Sequence, residues 1–189
     1  MIRLRQLAFL FSVAGLCWLS MLATHELGHI VAARATGGRV TKVVLHPLAI
    51  SRTDVMPNPA PLIVVWAGPV LGVLLPMALS CLPTGSVSRR NLLRFFTGFC
   101  LVANGAYIGL GSFNRIGDAG EMLRHGSPMW TLQFFGVLAI SAGLLLWHRL
   151  GSLKDFLAQP ELVSPTLTRT VTLFLIAMFV VECLLFARL

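Results

Sequence analysis

Residues Leu7 to Ala33 read LAFLFSVAGLCWLSMLATHELGHIVAA, an apolar run that carries one acid, Glu26, and two imidazoles, His25 and His29. About 20 helical residues cross a hydrocarbon core, so a run of this length reads as a transmembrane helix. The residues before it, Met1 to Gln6 with Arg3 and Arg5, have the form of the start of a secretory signal. The apolar stretch outruns a signal core, however, and cleavage behind it would discard both histidines. The helix is expected to be retained.

Four further segments have the length and apolarity of spans: Pro61 to Leu82, Leu92 to Phe113, Met129 to Trp147, and Val171 to Ala187, the last being the shortest. With 56% hydrophobic and 12% charged residues among 189, the chain falls outside soluble composition and belongs in a lipid bilayer. The expected fold is an all-α membrane protein of about five transmembrane helices, a single domain over residues 1–189. A net charge of +8 would suit nucleic acid, but the basic residues are scattered between apolar runs and a single Tyr offers no stacking surface. No nucleic-acid partner is expected. The 15 basic residues divide almost evenly between the two ends of the bundle, so charge does not orient it. The four cysteines lie in or at the ends of apolar runs without metal or redox spacing, and read as small buried hydrophobes.

Connections are short apart from Arg34 to Ala60 and His148 to Thr170. The first of these opens with Gly37-Gly38 and holds two β-prone runs, Val40 to Leu45 and Leu48 to Thr53, around His46-Pro47. A small hairpin at the membrane surface, or a plain loop, would account for them. As a hairpin, its free edge is suited to an extended peptide. Gly68, Gly72, Gly98, Gly105 and Gly109 mark close helix packing, and Asn104 reads as an interhelical hydrogen bond. His46, His125 and His148 lack ligand spacing and read as surface residues.

His25-Glu26-Leu27-Gly28-His29 has the form H-E-x-x-H. Residues four apart share a helix face, so both imidazoles reach one zinc ion while Glu26 stands beside its open position as general base. Such an ion acidifies water and polarises a carbonyl, and a carboxylate moves the proton to the departing amine, which is peptide hydrolysis. Ionisable residues inside an apolar segment are costly and usually functional.

A catalytic zinc normally takes three protein ligands, so a third must come from elsewhere, and Asp118 and Glu182 are the candidates. The first, third and fifth spans run the same way, which brings their C-terminal ends to one face. Asp118 follows the third span in Asn114-Arg115-Ile116-Gly117-Asp118-Ala119-Gly120, where glycines let the chain bend inward. Glu182, near the end of the fifth, also reaches that face. Asp118 is favoured, its alternative being a helix N-cap. Asn114 is a candidate donor to substrate or oxyanion, or a cap.

Taken together, these residues resemble the site-2 protease family of intramembrane metalloproteases. His25 to His29 is similar to its zinc motif, Ala67-Gly68-Pro69 to its A-G-P turn, and Asn114 with Asp118-Ala119-Gly120 to its second metal motif. The common form of that last motif is N-x-x-P-x-x-x-L-D-G. Here Asn114 stands four residues before Asp118, no proline intervenes, and Gly117 replaces the leucine. The resemblance implies a catalytic core over about residues 7–122, zinc held by His25, His29 and Asp118, Glu26 as base, and a hairpin after the first helix. It also implies membrane protein or peptide substrates, and a zinc site toward the cytoplasmic face of the cell (inner) membrane with the N-terminus outside. The competing expectation is a non-proteolytic membrane protein with a structural or regulatory zinc site. A zinc channel would want ligands along a path across the bilayer, whereas these candidates gather at one face.

Overall fold

The computed structural model describes residues 2–152, 158, 159 and 163–186. The order is α1 (Ile2–Ala35), β1 (Val40–Val44), β2 (Arg52–Val55), α2 (Pro61–Ser80), α3 (Val87–Asn114), α4 (Gly117–Arg124), α5 (Met129–His148) and α6 (Pro165–Phe186). Five of these helices, α1, α2, α3, α5 and α6, are long and apolar enough to cross a membrane. The fold is that of an integral, multi-pass membrane protein with a small antiparallel sheet after its first helix.

Element bounds differ from the sequence expectation where the chain is polar. The third span begins at Val87 rather than Leu92, taking in Arg89 and Arg90, and the fifth begins at Pro165 rather than Val171. Hydropathy marks only the apolar part of a helix, and both begin ahead of it in more polar residues. Pro165 suits a first helical turn, where its missing N–H has no partner to lose. Ala187, expected at the end of the fifth span, lies outside the described residues.

The hairpin forms, but its second strand is Arg52–Val55 instead of Leu48 to Thr53. The reason is local. The Ala49 N–H donates to His46 O at 2.9 Å and the Leu48 N–H to His46 Nδ1 at 3.2 Å, so the residues after Pro47 close a turn and leave Leu48 and Ile50 exposed. The ladder then pairs Lys42 with Asp54, Val43 with Thr53 and Val44 with Arg52, with a bulge between Val40 and Lys42.

Helices meet where side chains are missing. A Cβ on Gly28 of α1 would run into the Ala67 carbonyl and the Gly68 Cα of α2, so the two backbones touch beside the histidines. The Gly105 and Gly109 stripe of α3 likewise lies on Gly136 and Ala139 of α5. Val65, Ile108, Ala119, Met122 and Leu132 form a core cluster that seats α4 against α2, α3 and α5. A second, Ala32, Ala33 and Val64 with Val40 and Val55, fixes the hairpin to α1 and α2. Of the cysteines, Cys17 and Cys100 are buried and Cys183 half-buried, but Cys81 is exposed because it follows the end of α2 instead of packing within it.

Candidate metal centre

His25 and His29 project from one face of α1, their ring centroids 4.9 Å apart and their planes at 73°. α3 ends with Arg115 in a left-handed conformation and Ile116 extended, which turns the chain so that Asp118 in the first turn of α4 faces α1. Asp118 Oδ2 then lies 2.7 Å from His25 Nε2 and 3.2 Å from His29 Nε2. One ligand atom from each of the three falls within 4.8 Å of the others. Asp118 is placed inside the helix rather than at its N-cap, which is Ile116.

The opposite ring nitrogens are both engaged. His25 Nδ1 lies 2.7 Å from Asn104 Oδ1, and the Asn104 amide nitrogen donates to Cys100 O at 2.9 Å, which orients the amide oxygen toward the ring. His29 Nδ1 lies 2.8 Å from Val64 O. Both partners are acceptors, so each ring carries its proton on Nδ1 and a neutral ring turns the Nε2 lone pair toward Asp118. Two lone pairs and a carboxylate facing one another fit a cation between them. Zinc ligands at tetrahedral angles stand about 3.3 Å apart for bonds of about 2.0–2.1 Å; the His29–Asp118 contact of 3.2 Å is near that spacing, while the His25–Asp118 contact of 2.7 Å is shorter and would open around an ion.

α2 leaves room for the group. A Cβ on Gly68 would press on Nε2 of both histidines, and one on Gly72 would meet the Asn104 side chain. The Tyr107 ring packs on His25 with centroids 5.7 Å apart, and its hydroxyl accepts the Asp118 backbone N–H at 3.1 Å. Burial alone pushes the Asp118 carboxyl up; were the two rings also protonated on Nε2, their hydrogen bonds and charges would outweigh burial and hold it well below the usual carboxylate range, as a cation seated there would.

Glu26 is 2% exposed. Its Oε2 accepts a hydrogen bond from the Thr53 hydroxyl of β2 at 2.7 Å, so the hairpin reaches over α1 to the carboxylate. Between the hairpin and α4 lies a cleft of about 610 Å³, lined in part by His29, Thr53, Asp54, Asp118, Arg115 and His125. The Asp118 side chain is 20% exposed, against 7% for each histidine side chain, and so stands at the boundary between the buried rings and the cleft.

The structure thus brings together His25, His29 and Asp118, with Glu26 next in sequence to His25. Glu182 lies outside the group. It is buried on α6, both carboxylate oxygens without a hydrogen-bond partner among the described residues. Asn114, the last residue of α3, is exposed and does not line the cleft. Of the histidines read as surface residues, His125 lines the cleft beside Glu121. Sequence reasoning passed over Thr53, Tyr107 and the bond from Asn104 to His25. An amide in the middle of an apolar run was the available signal for Asn104. Comparison with known protein families, with curated proteins and with solved structures found no match to this chain.

Proposed function

We propose that this chain is an intramembrane zinc endopeptidase that hydrolyses peptide bonds of membrane-associated protein substrates. The observation that carries the reading is the convergence of His25, His29 and Asp118 beside an open cleft, with Glu26 on the same helix. Structural zinc sites are closed by four protein ligands, whereas three ligands next to accessible space is the pattern of a catalytic site. The described residues supply three, and Glu26 has no use in a purely structural site. The likeness of His25 to His29, Ala67-Gly68-Pro69 and Asp118-Ala119-Gly120 to motifs of the site-2 protease family points the same way.

Bound zinc would supply a Lewis acid that polarises the scissile carbonyl and acidifies water. The protein's part is proton transfer and placement. Thr53 holds Glu26 Oε2, leaving Oε1 to take the proton of the attacking water and pass it to the departing amine nitrogen. Asn104 and Val64 O keep both imidazoles turned with Nε2 inward. The substrate lies in the cleft between β2 and α4. His25 stands ten residues before the end of α1, about 15 Å along the helix axis, which puts the chemistry below the membrane surface. In this reading the cleft faces the cytoplasm and the N-terminus lies outside the cell (inner) membrane.

The test is zinc content and cleavage of a generic transmembrane peptide, measured on detergent-purified wild type and on the His25→Ala, Asp118→Ala and Glu26→Gln variants. Stoichiometric zinc is expected in wild type and Glu26→Gln and is lost in the other two, while Glu26→Gln cleaves at least about 10²-fold more slowly. Wild type without zinc overturns the proposal. Zinc without cleavage of any peptide favours the structural or regulatory site.

A further inference from the structure

The cleft beside the metal centre contains an arginine whose position is costly for its backbone and whose charge is unspent. Arg115 is the one non-glycine residue with positive φ among the described residues, at φ 53° and ψ 42°. It closes α3, and helices that end in this left-handed conformation do so at glycine or asparagine, which bear it at least cost. The backbone is fixed there from two sides. The Arg115 and Ile116 N–H groups both donate to Gly111 O, and Gly120 packs so closely on the Arg115 carbonyl that a Cβ would not fit between them. A turn that any glycine would satisfy is built with a long cationic side chain, and strain of this kind gathers where a site needs a particular group.

The other charges of the cleft are spent on one another. Arg52 pairs with Asp54 at 3.4 Å and Arg124 with Glu121, His125 lies 3.8 Å from Glu121, and Asp118 is committed to the metal centre with the two histidines. Arg115 lines the same cleft, is exposed, and its guanidinium makes no hydrogen bond or ion pair among the described residues. It stands three residues before Asp118, at the mouth of the site.

Resting on the peptidase reading above, we propose that Arg115 is a specificity-determining residue that binds a carboxylate of the substrate. An Asp or Glu side chain near the scissile bond, or the carboxylate at a chain end, supplies the same planar acceptor for a guanidinium fork. An enzyme using the first is an endopeptidase with an acidic preference; one using the second trims from a C-terminus.

The test separates binding from turnover. Fluorescent transmembrane peptides with Asp or Asn at each position around the cleft-bound segment, and with free or amidated C-termini, are titrated onto zinc-loaded Glu26→Gln protein in detergent. The same titration is repeated with Arg115→Gly added, a change that keeps the left-handed turn, with zinc content as the control for an intact centre. One carboxylate form is expected to bind about tenfold tighter than its neutral counterpart, the size of one charge-assisted pair, and Arg115→Gly removes that difference. Arg115→Glu should reverse it in favour of Lys at the same position. Loss of the preference for Asp over Asn identifies a side chain, and loss of the preference for a free over an amidated end identifies the terminus. Equal ratios with and without Arg115, or no preference in either protein, overturn the proposal. Hydrolysis by protein with Glu26 intact is scored separately, so a carboxylate preference without cleavage refutes the peptidase reading and leaves that of Arg115 standing.

Discussion

Asn104 and Thr53 each hold one member of the centre through a single side-chain contact, and their loss has separable effects. Asn104→Leu leaves His25 free to rotate and its Nδ1–H without an acceptor, so zinc affinity should fall about 10–100-fold, measured by competition with a chelator. Thr53→Val keeps the side chain's shape and removes the hydroxyl's hydrogen bond to Glu26, so zinc is retained while turnover drops by about tenfold or more. A Thr53 variant that loses its metal would show that the contact serves the fold instead. The two histidines and Glu26 were legible because the helical repeat alone puts them together. Asp118 was legible in part, from the direction of the spans, with Glu182 left open beside it. Asn104 was legible as an interhelical hydrogen bond but not as the partner of His25, and Thr53 was not legible, because each contacts a residue on a separate element, 79 and 27 positions away, and nothing in a single sequence says which side chains face one another across elements.

Contacts between elements rest on close backbone approach, and the two kinds of glycine in α1 should respond differently. Gly28→Ala drives a methyl group into the α2 backbone at Ala67 and Gly68, which cannot yield without moving α2 off the histidines. Overpacking of this kind costs about 1–3 kcal/mol, and both thermal stability in detergent and zinc occupancy should fall. Gly15→Ala meets only the tip of the Leu175 side chain, at 3.0 Å or more, so a rotamer change absorbs it and both properties should stay near wild type. Equal losses in the two variants would contradict this account of the α1–α2 contact. At this scale the sequence was read well for the spans and less well between them. Hydropathy located five helices, but the turn after Pro47 moved the second strand, and Asp118, weighed as an N-cap, lies inside α4, which begins at Gly117.

At the scale of the whole molecule, near-equal basic charge on the two sides gives the bundle no preferred direction, and labelling decides it. Alternate spans reverse, so Cys81 after α2 lies at the face opposite the cleft, while Ala49 in the hairpin turn lies on the cleft side. With the N-terminus outside, a membrane-impermeant maleimide should label Cys81 in intact cells and, in a Cys81→Ser background, label Gly85→Cys in intact cells but Ala49→Cys only after permeabilisation. The opposite pattern would place the cleft outside. α6 packs along α1, with Ser12 paired to Thr172 and Ser20 near Met178, so the two run parallel and α6 flanks the helix that carries the histidines. Yet every residue given a part in the chemistry, from His25 to Asp118, precedes α5. During synthesis, then, the ligands are all present once α4 has been made, with two spans still to follow. On the zinc reading proposed above, metal capture can begin on a growing chain, before the helix that flanks α1 has been made.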